Sequence, residues 1–314
     1  MKYLIHGSIA YDLLLHTEGS FADAIDANNL EKLSVSFLAQ HLERHHGGTG
    51  ANIAWNASLL GDEPMLVGAV GSDGGSYLEL LNERGVDVSL VQKKNDAVTA
   101  TAIIGTDNAE RQITFFHPGA DGSAGLPELG DLREEVDFGI VSARNPVLML
   151  SGARAMRHAK IPYLFDPGQQ SHVFAQDEFR HAVEGGSGLV VNEYEWELAS
   201  KKLGWNEKEV LNACGLLVIT LGERGIRIAK KDESHDIPAC KVDHLKNPTG
   251  AGDAVRAALL YGLSRKWSLV DTGRLAAAMG SLVCEQEGTM LESVDWEMLD
   301  GRVFENYGER LPRS

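Results

Sequence analysis

From Val136 onward the chain repeats one pattern, a short apolar run followed by a longer segment with helical spacing. Val136 to Ser142, Pro162 to Asp166, Gly188 to Val191 and Gly215 to Thr220 read as strands. Val147 to His158, Phe179 to Glu184, Glu193 to Leu203, Ala251 to Leu263 and Leu269 to Glu285 read as helices. Strands that alternate with helices need right-handed crossovers, which place them parallel in one sheet covered on both faces.

The first half starts the same way. Tyr3 to Ile5 reads as a strand ending at Gly7 and Ser8. After Gly47-Gly48-Thr49-Gly50, the apolar residues Ile53, Ala57 and Leu60 recur at i, i+4 and i+7, and Gly61 supplies a stop. Met65 to Val70 predicts a strand and Tyr77 to Arg84 a helix. Two segments break the rhythm with strand-like runs, Asp12 to Arg44 and Ala97 to Pro118. The second carries a hairpin pattern, Val98 to Ile104 and Gln112 to Phe116. The expected architecture is α/β in three layers (α/β/α), with a mostly parallel central sheet and a small β lid. Residues 1–11, 45–96 and 119–314 would form the large domain, and 12–44 and 97–118 the lid.

Charge and cysteine usage narrow the partners. The formal net charge is −16 over 314 residues, which repels nucleic-acid polymers and anionic membranes. A small phosphate ligand remains compatible, because a helix N-terminus supplies local positive potential. Cys214, Cys240 and Cys284 are odd in number and widely spaced, which fits a reducing compartment rather than a disulfide framework or a zinc cluster. Met1 to Leu15 is interrupted by His6, Gly7 and Asp12 and reads as a strand rather than a signal peptide. The expected location is the cytoplasm, and the expected state a monomer or homodimer.

Four constellations carry chemistry. In Asn247-Pro248-Thr249-Gly250-Ala251-Gly252-Asp253 the small residues let a ligand approach backbone N–H groups at a helix start, whose dipole favours an anion. A carboxylate beside that anion is oddly placed for binding phosphate, but suited to taking a proton from an attacking hydroxyl. A plain turn with an acidic helix start explains the same residues. In Gly47-Gly48-Thr49-Gly50-Ala51-Asn52, paired glycines precede a helix and Asn52 offers a donor and an acceptor to a pair of sugar hydroxyls, or caps the turn. Asn192 and Glu195 could orient a hydrated Mg²⁺, or form a capping box. Thr220-Leu221-Gly222-Glu223-Arg224-Gly225 offers a glycine loop for a nucleotide. There is no GxxxxGK[ST] and no GxGxxG at the first crossover, which removes P-loop and dinucleotide-fold readings.

These pieces, in this order, resemble the ribokinase/PfkB family of carbohydrate and nucleoside kinases over nearly the whole chain, and within it the bacterial adenosine kinases. The closer likeness rests on Gly7-Ser8-Ile9-Ala10 with Asp12, Ser34 to Leu38, Phe116 to Ala120, Asp166 to Gln170 and Asn192 to Trp196. The resemblance implies a ribokinase-like fold and ATP-dependent phosphorylation of a ribose 5′-hydroxyl, with adenosine as the first candidate. It implies Asp253 as general base, with Gly250, Ala251 and Gly252 as the anion hole. Asp12, Gly48 and Asn52 would hold the ribose, with Ser8 and Ser36 nearer the base. Phe116, with Ile103 as a second contact, would pack on the purine, and Arg111 would reach the transferred phosphate. Asn192 and Glu195 would order Mg²⁺ through water, and Thr220, Gly222 and Gly225 would contact ATP. A monovalent cation such as K⁺ is in question, since Asn247 stands where many relatives carry Asp. The rival readings are a kinase of ribose, fructose or a related sugar, and a non-catalytic nucleoside sensor.

Overall fold

In the computed structural model, residues 1–25, 31, 34–126, 129, 132 and 135–312 are described. The strands are β1 (Lys2–His6), β2 (Ala10–Thr17), β3 (Ala39–Gly47), β4 (Glu63–Val67), β5 (Ala69–Gly71), β6 (Gln92–Lys94), β7 (Ala100–Thr106), β8 (Gln112–His117), β9 (Phe138–Val141), β10 (Tyr163–Phe165), β11 (Gly188–Asn192), β12 (Leu216–Thr220), β13 (Ile226–Lys230) and β14 (Glu233–Ile237). The helices are α1 (Phe21–Ala24), α2 (Thr49–Leu59), α3 (Gly75–Glu83), α4 (Pro146–His158), α5 (Gln176–Glu184), α6 (Glu193–Leu203), α7 (Glu207–Cys214), α8 (Ala251–Ser264), α9 (Leu269–Cys284) and α10 (Trp296–Tyr307).

The main sheet has the order β14-β13-β12-β11-β10-β9-β1-β4. From β4 to β12 every pairing is parallel, and β13 and β14 close the edge as an antiparallel hairpin. Side chains alternate across a strand, so β1 feeds two cores. Tyr3 and Ile5 join Val190 and Val218 under α2, α8 and α9. Leu4 joins Val141, Phe165 and Val191 under α4, α5 and α7. Several helix ends have local causes. Asn192 and Asn206 cap α6 and α7 in reciprocal boxes, while Gly204, Gly215 and Gly308 end α6, α7 and α10 in the left-handed region.

A second sheet has the order β3-β2-β7-β8, with β2 and β7 parallel and the outer pairs antiparallel. It is built from the two segments that broke the strand–helix rhythm. The antiparallel edge β13-β14, α7 and α10 are elements the periodicity reading passed over. Part of the first of these segments, Asp12 to Arg44, lies outside the described residues. Among the described residues no helix is long and apolar enough to cross a membrane.

The two larger sheets meet at glycines, and β5 and β6 pair separately as a short parallel ribbon. Gly50, in the first turn of α2, lies against the backbone of Gly7 at the end of β1; a Cβ on Gly50 would come within 2.6 Å of the Gly7 carbonyl carbon. Neither partner has a side chain that can turn aside. Gly50→Ala is therefore expected to destabilise the fold by about 1–3 kcal/mol through overpacking, measured by urea denaturation. Gly61→Ala is the reference, as its Cβ would meet nothing but its φ of +84° carries backbone strain.

Candidate active site

Gly250 precedes α8 with φ +87°, a left-handed conformation that glycine adopts without strain. The first amides of α8 have no intrahelical carbonyl partner and the helix dipole adds positive potential there. Asp253 lies in that first turn, half-buried. Burial pushes its carboxyl up to about 7, against the opposing pull of Arg256 and of a hydrogen bond from Asn52. That bond, Asn52 Nδ2 to Asp253 Oδ2, is 2.8 Å long and joins the two glycine-rich constellations.

Asn52 reaches Asp253 because α2 starts from a tight glycine entry. Gly48 has φ +93°, and a Cβ there would strike the backbone of Ser8, Ile9 and Ala10. Asp12 sits on β2 opposite His45 and Ala102, and Ala102 in turn faces Phe116, so Asp12 and Phe116 share one face of the second sheet. Gly47 leaves room for the Asp12 carboxylate, which would lie 2.5 Å from a Cβ there. Burial raises the Asp12 carboxyl and His45 opposes the rise. Ser8 Oγ accepts the Thr49 N–H at 3.1 Å at the same entry.

A cavity of about 990 Å³ opens from this point. Asp253, Gly252, Arg256 and Asp166 form its polar end, with Thr49 beside them. Asn192, Glu195, Thr220, Gly222 and Gly225 line one side; Val242, Leu245, Ala277 and Cys284 line an apolar part. A ligand with a charged end and a flat apolar end suits these walls. Asn192 and Glu195 do form a capping box, with both bonds at 2.8 Å. Glu195 nonetheless borders the cavity, and burial, then Asp166, raises its carboxyl. Gly225 has φ +103°, and a Cβ there would lie 2.0 Å from the Ile237 carbonyl oxygen.

Four expected substrate contacts stand apart. Arg111 is engaged by Asp107, with Nε 2.9 Å from Oδ2, and by Ser20; reaching a phosphate would break that pair, so it is dropped from the candidate set. Ile103 pairs with Leu13 and Phe115, one residue out of step with Ala102, and so faces away from Asp12. Ser36 is exposed, and Phe116 is 61% exposed rather than packed. The sequence reading also missed Arg256 and Asp166 as a unit. Arg256 Nε and Nη2 donate to the two Asp166 carboxylate oxygens at 2.6 and 2.7 Å, and Nη1 donates to the Gly252 carbonyl. The signal was available: Arg256 stands one helical turn after Asp253, on the same face.

The pfkB family carbohydrate kinase profile matches residues 7–296. The chain belongs to the pfkB family. As a member it is a phosphotransferase with an alcohol group as acceptor, and its ribokinase-like fold agrees with solved relatives. It is 33% identical to a Burkholderia thailandensis nucleoside kinase solved in complex with inosine, with TM-score 0.88 over 98% of this chain and 99% of that one. It is 26% identical to the Methanocaldococcus jannaschii nucleoside kinase structure, with TM-score 0.87 over 97% of this chain and 98% of that one. It is also 32% identical to a nucleoside kinase of Methanothermobacter thermautotrophicus, covering 96% of this chain and 98% of the relative.

The Arg256–Asp166 pair is almost fully buried. Arg256→Leu leaves Asp166 without its cation, and is expected to cost about 3–5 kcal/mol of stability. The double variant Asp166→Leu/Arg256→Leu should cost less than either single change, read from denaturation midpoints.

Proposed function

We propose that this pfkB-family kinase transfers the γ-phosphoryl group of ATP to the ribose 5′-hydroxyl of a nucleoside, with adenosine as the first substrate to test. The observation that supports this most is the Asn52–Asp253 hydrogen bond: it sets a sugar-binding amide against a carboxylate at the mouth of a nucleotide-sized cavity. The nucleoside kinases among the relatives, and the Burkholderia thailandensis enzyme solved with ADP and inosine, support a nucleoside acceptor. A sugar acceptor is the second reading. An Escherichia coli fructokinase is 27% identical over 78% of this chain, and the exposed Phe116 forms no finished wall for a base.

In this reading Asp12, Gly48 and Asn52 hold the ribose, with Ser8 beside them, and the second sheet covers the acceptor as a lid. Asp253 accepts the proton of the attacking hydroxyl. The amides at Gly250, Ala251 and Gly252 stabilise charge on the migrating phosphoryl group. Thr220, Gly222 and Gly225 contact ATP. Glu195, a carboxylate on the cavity wall with Asn192 beside it, suits a hard divalent cation held through water. Mg²⁺ there would supply charge neutralisation on the phosphate oxygens. Asn247 carries no charge and its Oδ1 already accepts the Thr249 N–H at 2.9 Å, so K⁺ is left out of the proposal. The enzyme is proposed to work in the cytoplasm.

Asp253→Asn is expected to lower kcat by roughly 10²–10⁴-fold while nucleoside binding by calorimetry stays nearly unchanged. Near-normal turnover would remove Asp253 as the base. The base works ionised, so kcat/KM should rise with pH through about 7 and then level off. ADP release from ATP with adenosine, inosine, guanosine, cytidine, ribose and fructose ranks the acceptors. Faster turnover of free sugars than of every nucleoside would select the second reading.

A further inference from the structure

Thr289 belongs to no constellation read from the sequence. It lies in the loop after α9, is buried, and touches three parts of the site. Its Oγ1 is 2.9 Å from the carbonyl oxygen of His46, the next-to-last residue of β3, and 3.1 Å from Asn52 Oδ1. Its Cβ would lie 2.8 Å from a Cβ on Gly250, so it also backs the left-handed residue before α8. We propose that Thr289 is a positioning residue whose single hydroxyl proton ties the orientation of the Asn52 amide, and through it the Asp253 carboxylate, to the root of the second sheet.

Both partners of the Thr289 hydroxyl are acceptors in the observed arrangement, and a hydroxyl has one proton to give. When Asp253 is ionised it can only accept, so Asn52 must turn its NH₂ to Asp253 and its Oδ1 to Thr289. The Thr289 proton then goes to Asn52, and the His46 carbonyl is left to compete for it. When Asp253 holds a proton, a second arrangement satisfies every group. The carboxylic acid donates to Asn52 Oδ1, the turned NH₂ donates to Thr289, and Thr289 donates to His46. No covalent bond changes at Thr289 or Asn52; the amide turns over and the hydroxyl rotates. The proton that Asp253 takes from the acceptor thus determines whether the hydroxyl holds Asn52 or holds β3.

Asn52 is buried, with its backbone oxygen accepting from Asn56 Nδ2 at 2.8 Å, so a lost partner at Oδ1 is not readily replaced by water. The charged groups facing Asp253 are Arg256 from its own helix, Asp166 from the loop after β10 and Asp12 from β2. Substitution at Thr289 leaves all three in place.

This inference rests on Asp253 being the base, and the test separates the two. Thr289→Val keeps the shape and removes the hydroxyl. It should lower kcat about tenfold and move the acid limb of kcat/KM upward by about half a unit to one unit, because Asn52 no longer holds its NH₂ toward the carboxylate. The KM for the nucleoside should rise by less than kcat falls, because Asn52 stays in place and only the orientation of its amide is released. Thr289→Ser keeps the hydroxyl and should restore both values, and Thr289→Ala, a smaller side chain, should repeat the valine result if valine fails to fold. In an Asp253→Asn background, Thr289→Val should have no further effect on kcat. Wild-type kcat and acid limb in the valine or alanine variant, or a serine variant as impaired as they are, would overturn the role of the hydroxyl. If Asp253→Asn itself keeps normal turnover and its acid limb, the base assignment fails instead, and with it the premise.

Discussion

The hydrogen bond from Asn52 to Asp253 spans 201 positions of sequence and decides where two helices start. It requires α2 to begin within reach of α8, and α2 can begin there only because Gly48 and Gly50 press on the backbone of residues 7–10 without side chains between them. It equally requires α8 to begin at a left-handed residue, which Gly250 provides. The strands under these helices are short and fully buried, so the sheet supplies a fixed platform from which both starts are measured. The geometry of the candidate site is a by-product of how closely main chain can approach main chain.

The polar end of the cavity holds one guanidinium among three carboxylates. Arg256 is claimed bidentately by Asp166, which leaves Asp253 and Glu195 with less than a full counter-charge each. Burial raises both carboxyls, and Arg256 opposes the rise only in part. For Asp253 the sign is clear. The native chain holds this proton more tightly than the unfolded chain, so the stabilisation it brings is present below the unfolded value near 4 and is lost as pH rises through about 7. At neutral pH and above, the fold therefore carries an ionised group that it would hold more comfortably protonated. Arg256 and the Asn52 hydrogen bond offset part of that strain, and the two apolar cores carry the rest. A group poised this way is ready to gain a proton.

The parallel sheet was legible because its strands are buried on both sides and read as unbroken apolar runs. The hairpin β13-β14 was not, because β14 is Glu-Ser-His-Asp-Ile, a half-exposed edge with no apolar alternation. The glycine constellations were legible as places of close approach, and they do converge around Asp253. Which residues faced them from other elements was not. Thr289 and Asp166 are single polar residues in loops, and only the register of distant strands puts them beside Asn52 and Arg256. Ile103 failed for a simpler reason: one step along a strand reverses the face, and a hairpin read without its register cannot say which step is in. Arg111 failed because its partner Asp107 is four residues away and was read as turn.

Among the described residues, the chain passes between the two larger sheets through residues 7–9, Gly48, the segment before Ala100 and Pro118. All four crossings lie at one end of the second sheet, whereas the turn from Thr106 to Gln112 lies at the opposite end of β7 and β8. Insertions or deletions at that far turn would leave the anchoring backbone untouched. The second sheet can therefore change length at that turn without moving the backbone that holds Asn52 beside Asp253.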